Sequence, residues 1–231
     1  MKRQDAPQPE SGPEPLGAIT ARAAIRQRCN HLASLQIRGN LGTTLAEIIL
    51  AYSPKDILHM KRNFSTRVQD MDSGYRDRLT AKIAEHLSGT WQRVRLLHQQ
   101  GAFARMTGVV PKEAASYWAM AANSCDQAAT ADGARLRFLK YLLAGFCMFV
   151  LQEPAHPVGT PFPGGDTVEF VDGVYYCPVR EKQGDVDAAL CPFCPARQTP
   201  AVGYLKPPTG KSEHRKQEFI ENTYAHHHFN G

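Results

Sequence analysis

Apolar residues recur along this chain at steps of three and four as far as residue 151, and then the pattern changes. Ile25, Cys29, Leu32 and Leu35 make the first stripe, the spacing of one helix face. Gly39 and Gly42 are expected to end that helix. "TLAE" (Thr44 to Glu47) has the form of a capping box, so a second helix is predicted there, with Leu45, Ile48, Ile49 and Tyr52 on its buried face. "SPKD" (Ser53 to Asp56) restarts a helix with Pro54 at its first position, where a missing N–H costs nothing. Ile57, Met60, Phe64 and Val68 continue that stripe.

The clearest helix starts near Ser73, with Leu79, Ile83, Leu87, Val94 and Leu97 on one side at a repeat of about 3.6 residues. Gly101 and Gly108 bracket a break, and Pro111 suits a helix start ahead of Ala114, Tyr117, Trp118 and Ala121. Asp132 and Gly133 lead into "ARLRFLKYLLAGFCMFVLQE", amphipathic first and then apolar all round, as in a helix that passes through a core. Its most apolar run, "YLLAGFCMFVL", is about half the roughly 20 residues that a membrane span needs.

At Glu153 the grammar changes. "PAHPVGTPFPGG" holds four prolines and three glycines, and residues before proline are pushed away from the α region. "TVEFVDGVYYC" follows, with two β-rich runs flanking Asp172-Gly173, a dipeptide that accepts the positive φ of a type I′ hairpin turn. A two-residue loop would set Val168 opposite Cys177. The predicted protein is therefore mainly α: a multi-helix bundle over residues 17–153 with a small β-hairpin and metal-knuckle lobe over 154–210. Residues 1–16 carry four prolines among mostly polar neighbours and are expected to be a disordered tail. Residues 211–231 are expected to be a polar helix or tail, helical from about Ser212 to Tyr224, and no internal repeat is visible.

Composition changes this picture little. The chain has 231 residues, 42% hydrophobic and 21% charged, with a net charge of +5 that permits a nucleic-acid partner without indicating one. The basic residues Arg22, Arg26, Arg28, Arg135, Arg137 and Lys140 read first as solvated helix faces. Residues 1–15 contain no apolar segment of the kind a secretory signal needs, so a cytoplasmic setting without membrane attachment is expected, where thiols stay reduced. No Walker motif, GxSxG, HExxH or dinucleotide-binding glycine pattern occurs, so no common reaction class is indicated.

The cysteines carry the candidate chemistry. Cys177, Cys191 and Cys194 follow a Cys-x13-Cys-x2-Cys spacing that offers three ligands to one tetrahedral ion. His156, in the Pro/Gly loop, is the first choice for the fourth. His214, His226, His227 and His228 are alternatives, and Asp185 or Asp187 weaker ones. Structural Zn²⁺ is the leading expectation, because a lobe with few large aliphatic residues gains folding energy from a metal. An iron–sulfur or other redox metal and a dithiol redox pair are the alternatives. Cys29, Cys125 and Cys147 sit in helical segments and read as small buried hydrophobes.

At "HPVGTPFPGG…YYCPVREKQ…ALCPFC", with the preceding "FLKYLLAGFCMFVLQEP", the sequence resembles an archaeal family, mainly from methanogens, catalogued as domain of unknown function 2115. The resemblance implies no particular reaction. It does imply a reducing, anaerobic cytoplasm in which oxygen-sensitive clusters survive, which strengthens the iron–sulfur alternative. Three functions stay open: a metal-binding accessory module presenting its lobe to a protein or RNA, a redox or cluster-handling protein, and an enzyme with a site between bundle and lobe.

Overall fold

Among the described residues, six α-helices turn the expected apolar stripes inward. They are α1 (Leu16–Ser34), α2 (Arg38–Leu50), α3 (Pro54–Arg67), α4 (Ser73–Gln99), α5 (Glu113–Asp126) and α6 (Ala131–Gly145). A three-stranded sheet follows, of β1 (Glu169–Val171), β2 (Val174–Cys177) and β3 (Arg197–Gln198). The structure is a computed structural model that describes residues 16–162, 165–181 and 190–199. The expected tail up to residue 15 and the expected C-terminal helix lie outside the described residues.

Side-chain capping starts three of these helices. Ser53 and Asp56 form a reciprocal capping box at the start of α3, with Ser53 N–H donating to Asp56 Oδ2 at 2.8 Å. Asp72 accepts from the Tyr75 amide at 2.9 Å to start α4, and Thr130 accepts from the Gly133 amide at 3.0 Å to start α6. Asp132 and Gly133 therefore lie inside the first turn of α6 rather than ahead of it.

The α1–α2 junction differs from the sequence reading. Gly39 and Gly42 do not end a helix: α1 stops at Ser34, and both glycines are buried in the first turns of α2. A Cβ on Gly39 would lie 2.3 Å from the Phe103 carbonyl oxygen, and one on Gly42 would lie 2.6 Å from the Phe103 ring. They are there so that the 3₁₀ turn Ala102–Arg105 can press against the α2 backbone. Consequently "TLAE" is mid-helix and caps nothing. The free amides at the start of α2 find tertiary acceptors instead, Arg38 N–H donating to Gly108 C=O at 2.8 Å and Gly39 N–H to Met106 C=O at 2.9 Å.

Helix α6 runs through the centre, and every residue from Phe138 to Val150 is buried. Its apolar second half is where the regular helix ends: Phe146–Leu151 forms a π turn. Tyr117 of α5 sits against it, its hydroxyl donating to Tyr141 C=O at 2.6 Å and its ring meeting Phe149 edge-on at 5.1 Å. Tyr141 in turn donates to Ser124 Oγ at 2.8 Å, so the core's phenols are satisfied where they are buried. The π turn closes with Gln152 at φ 59°, and Cys147 C=O accepts the amides of Gln152 and Glu153.

Lys140 is the charged exception inside α6, with Nζ 4.3 Å from the centre of the Tyr141 ring. Burial, with Arg137 and Arg67 nearby, pushes its ammonium down to about 7. Between about pH 7 and its ordinary 10.5, the unfolded chain binds a proton that the folded chain lacks, so this group makes stability rise with pH across that window. Lys140→Met is expected to flatten that rise when the urea midpoint is followed against pH. Gly39→Ala is expected to cost about 1–3 kcal/mol by denaturant unfolding. Gly89→Ala, where an added Cβ meets nothing within 4 Å, should gain about 0.5–1 kcal/mol.

Candidate functional site

The hairpin forms as its sequence demands. Asp172 and Gly173 take φ values of 49° and 80°, and the strands pair as Glu169↔Tyr176, Phe170↔Tyr175 and Val171↔Val174. Cys177 thus ends β2. What the sequence reading missed is β3, which runs parallel to β2 with Tyr176↔Arg197 and Cys177↔Gln198. This pairing carries the residues just after Cys194 alongside Cys177.

The sequence repeats beside this pairing, as a turn after Cys177 and as extended chain after Cys194. Cys177-Pro178-Val179-Arg180 and Cys194-Pro195-Ala196-Arg197 are a short repeat, "CPVR" and "CPAR", the signal by which β3 could have been found. Proline has no N–H, so the first amide able to reach each sulfur lies two residues on. The Val179 amide donates to the Cys177 sulfur and the Ala196 amide to the Cys194 sulfur. Cys191 opens a single 3₁₀ turn, with Cys194 N–H donating to Cys191 C=O at 3.1 Å.

Arg180 and Gln198 lace the turns together. Arg180 donates from Nε to Ala196 C=O at 3.1 Å and from Nη2 to Pro192 C=O at 3.5 Å. Gln198 donates to Pro178 C=O at 2.9 Å and accepts from the Glu181 amide at 2.9 Å. A small apolar cluster of Phe162, Val168, Cys177, Val179 and Ala196 lies beneath, with Tyr175 and Cys194 against it. Cys194 also packs on the bundle core, as does Phe193, whose ring meets Tyr117 edge-on at 5.3 Å.

Burial raises all three thiols, Cys177 to about 11 and Cys191 to about 12. Cys191 is raised further by Cys177 and Cys194, and Cys177 by Cys194; Arg180 pulls each back. Thiols held this high are poor nucleophiles at neutral pH, which disfavours the dithiol redox pair. Among the described residues, no group of three or more His, Cys, Asp or Glu side chains is placed so that it could hold a metal ion. The donors are soft and amide-supported with a cation beside them, a chemistry that suits a thiophilic ion able to draw them together.

His156 is half-buried in the Pro/Gly loop, its ring edge-on to Phe162 at 6.0 Å. The adjacent Ala155 is the tie between loop and site: its amide donates to the Cys194 sulfur, and its carbonyl accepts from the ring of His86 on α4. His86 is held neutral, pushed down to about 4 by burial and by Lys82. The alternative ligands Asp185, Asp187, His214, His226, His227 and His228 lie outside the described residues. Most of the basic residues weighed for nucleic acid are engaged within the chain. Arg26 pairs with Asp126, Arg135 with Asp56, and Arg137 donates to Ser124 C=O. No helix among the described residues is long and apolar enough to cross a membrane.

The paired turns lie within a wider match. Residues 37–199 match the family model described as an uncharacterized protein conserved in archaea (DUF2115). The chain belongs to that family. The DUF2115 match covers α2 to α6 and all three site cysteines, and it begins after α1. A UPF0305 protein of Methanothermobacter thermautotrophicus is 62% identical over 52 residues, 22% of this chain and 34% of that protein. A UPF0305 protein of Methanopyrus kandleri is 41% identical over 71 residues, 31% of this chain and 50% of that protein. The chain thus spans a third to a half of the length of these curated relatives. No solved structure gives a significant match.

The lacing by Arg180 is testable by itself. Arg180→Met removes both of its hydrogen bonds, about 1–2 kcal/mol of local stability. Cys191 and Cys194 should then react roughly ten-fold faster with iodoacetamide, with the helical circular dichroism unchanged. An unchanged alkylation rate would show that the turns hold each other without it.

Proposed function

We propose that this DUF2115 protein is a zinc-binding accessory protein of the cytoplasm, whose three-cysteine lobe is fastened by the metal and presented to a protein or RNA partner. The observation that supports the reading is the β2–β3 pairing, which sets Cys177 opposite Gln198, four residues beyond Cys194, while Arg180 reaches the Pro192 and Ala196 carbonyls on either side of Cys194. Zinc supplies a closed-shell charge that replaces three thiol protons and converts binding energy into folding energy for a lobe with a small apolar cluster. Cys177, Cys191 and Cys194 would hold the ion, and the Val179, Ala196 and Ala155 amides would orient the sulfurs.

Elemental analysis of the full chain purified without oxygen tests this. The expected result is one zinc per chain, lost in each of Cys177→Ala, Cys191→Ala and Cys194→Ala. The helical dichroism should be largely kept, because the bundle core is separate from the lobe's cluster. A brown protein carrying iron would turn the assignment to the iron–sulfur alternative, and stoichiometric metal in all three variants would refute the thiol site.

A further inference from the structure

The sheet order β1-β2-β3 leaves β1 as an outer strand, and all three of its residues are exposed. In an antiparallel hairpin alternate pairs exchange hydrogen bonds, and the pair flanking a two-residue turn is one that does. Here that pair is Val171 and Val174, so the N–H and C=O of Phe170 point outward, away from β2. Val168, two residues earlier and on the same side, spends its N–H on Thr160 C=O at 3.2 Å and its C=O on Gly159 N–H at 2.8 Å. The Pro/Gly loop thus pairs along this side as far as Val168. It then turns away: Gly159 takes φ 83°, and Pro157 C=O accepts the Thr160 amide at 3.0 Å. Among the described residues, no strand or bridge pairs with Phe170 on its outer side. Phe170 is 53% exposed and Val171 46%, and the Phe170 ring lies 4.5 Å from that of Tyr175, which packs on the lobe's apolar cluster. An open strand edge beside an exposed aromatic is a template for another strand.

The charges around this edge select what it takes. Residues 157–179 carry three carboxylates, Asp166, Glu169 and Asp172, and no Lys, Arg or His, in a chain of net charge +5. Lys82 comes up beside Gly159 but pairs with Glu85 at 3.3 Å, and Arg180 is spent on the Ala196 and Pro192 carbonyls. We propose that the outer edge of β1 takes up, as an added strand, a basic extended segment of a partner protein, with Phe170 as the apolar anchor. The inference rests on the partner half of the reading above and not on its metal half. Backbone hydrogen bonds to the Phe170 N–H and C=O would fix the segment, and its Lys or Arg side chains would meet Glu169 and Asp172. One residue's pair of hydrogen bonds is a small contact, so the anchor and the carboxylates supply the rest. The same carboxylates repel RNA phosphates, and two β1 edges laid together would oppose like charges, so RNA and a second copy are both disfavoured.

The test uses the full chain and a fluorescein-labelled peptide of alternating lysine and valine, with binding read by fluorescence anisotropy. The lysine peptide is expected to bind and to weaken as salt is raised, whereas its glutamate counterpart and a labelled oligouridylate should not bind. Phe170→Ser is expected to weaken binding at least about five-fold. Glu169→Lys should weaken it about as much and shift preference towards the glutamate peptide. Both positions are exposed, so the helical dichroism should stay unchanged. Methylating the peptide's backbone nitrogens keeps its charge but removes the amides that a strand needs, and should abolish binding. A lysine peptide that fails to bind, or whose binding ignores both substitutions, overturns the proposal. Tighter binding of the oligouridylate overturns it in favour of RNA, and a dimer in sedimentation that Phe170→Ser dissociates overturns it in favour of a second copy. Peptide binding by a chain that purifies without metal upholds this inference and overturns the metal reading. A zinc-loaded chain that ignores the peptide does the reverse.

Discussion

The structure is organised by the burial of one continuous stretch, Phe138 to Val150, on all sides. A helix with no polar face has to be covered completely, and the other helices take their places from that requirement. Tyr117 and Trp118 of α5 cover one side, and α2, pressed against the 3₁₀ turn through Gly39 and Gly42, covers another. Its last turn takes π geometry, and the left-handed Gln152 redirects the chain towards α4. Arg93 then holds Glu153 at 2.7 Å and Arg38 holds Gln152 at 2.6 Å, which fixes where the lobe begins.

That fixed exit gives the lobe its chemistry. Ala155, two residues beyond Glu153, faces the bundle with its carbonyl and the Cys194 sulfur with its amide. Phe193 reaches Tyr117, so the "CPFC" turn is anchored in the bundle's aromatic cluster while Cys177 belongs to the lobe's own cluster. The thiols sit where two cores meet, and their high proton affinity follows from that burial more than from one another. A site of this kind gives up its protons only to something that replaces them with a stronger charge.

Much of this was legible residue by residue. The stripes of α1 and α3 to α6, the helix start at Pro54, the Asp172-Gly173 turn and the hairpin register to Tyr176 all follow from local geometry, and all appear. The errors share one cause. Gly39 and Gly42 read as stops because a glycine that admits a neighbour and one that ends a helix look alike in sequence. "TLAE" read as a cap because the true acceptors for the first α2 amides, Met106 and Gly108, are more than sixty residues away.

The sequence by itself determined the local states: which segments coil, where the hairpin turns, and which cysteines are followed by a proline that silences the next amide. These depend on interactions within a few residues and need no partner. Only the tertiary structure decided that β3 pairs with β2 in parallel, that Arg180 reaches the carbonyls on either side of Cys194, and that the π turn sets Cys147 against Thr90. Those relations depend on hydrogen bonds and burial between residues far apart in the chain, and no local period or motif encodes the direction from which such a neighbour arrives.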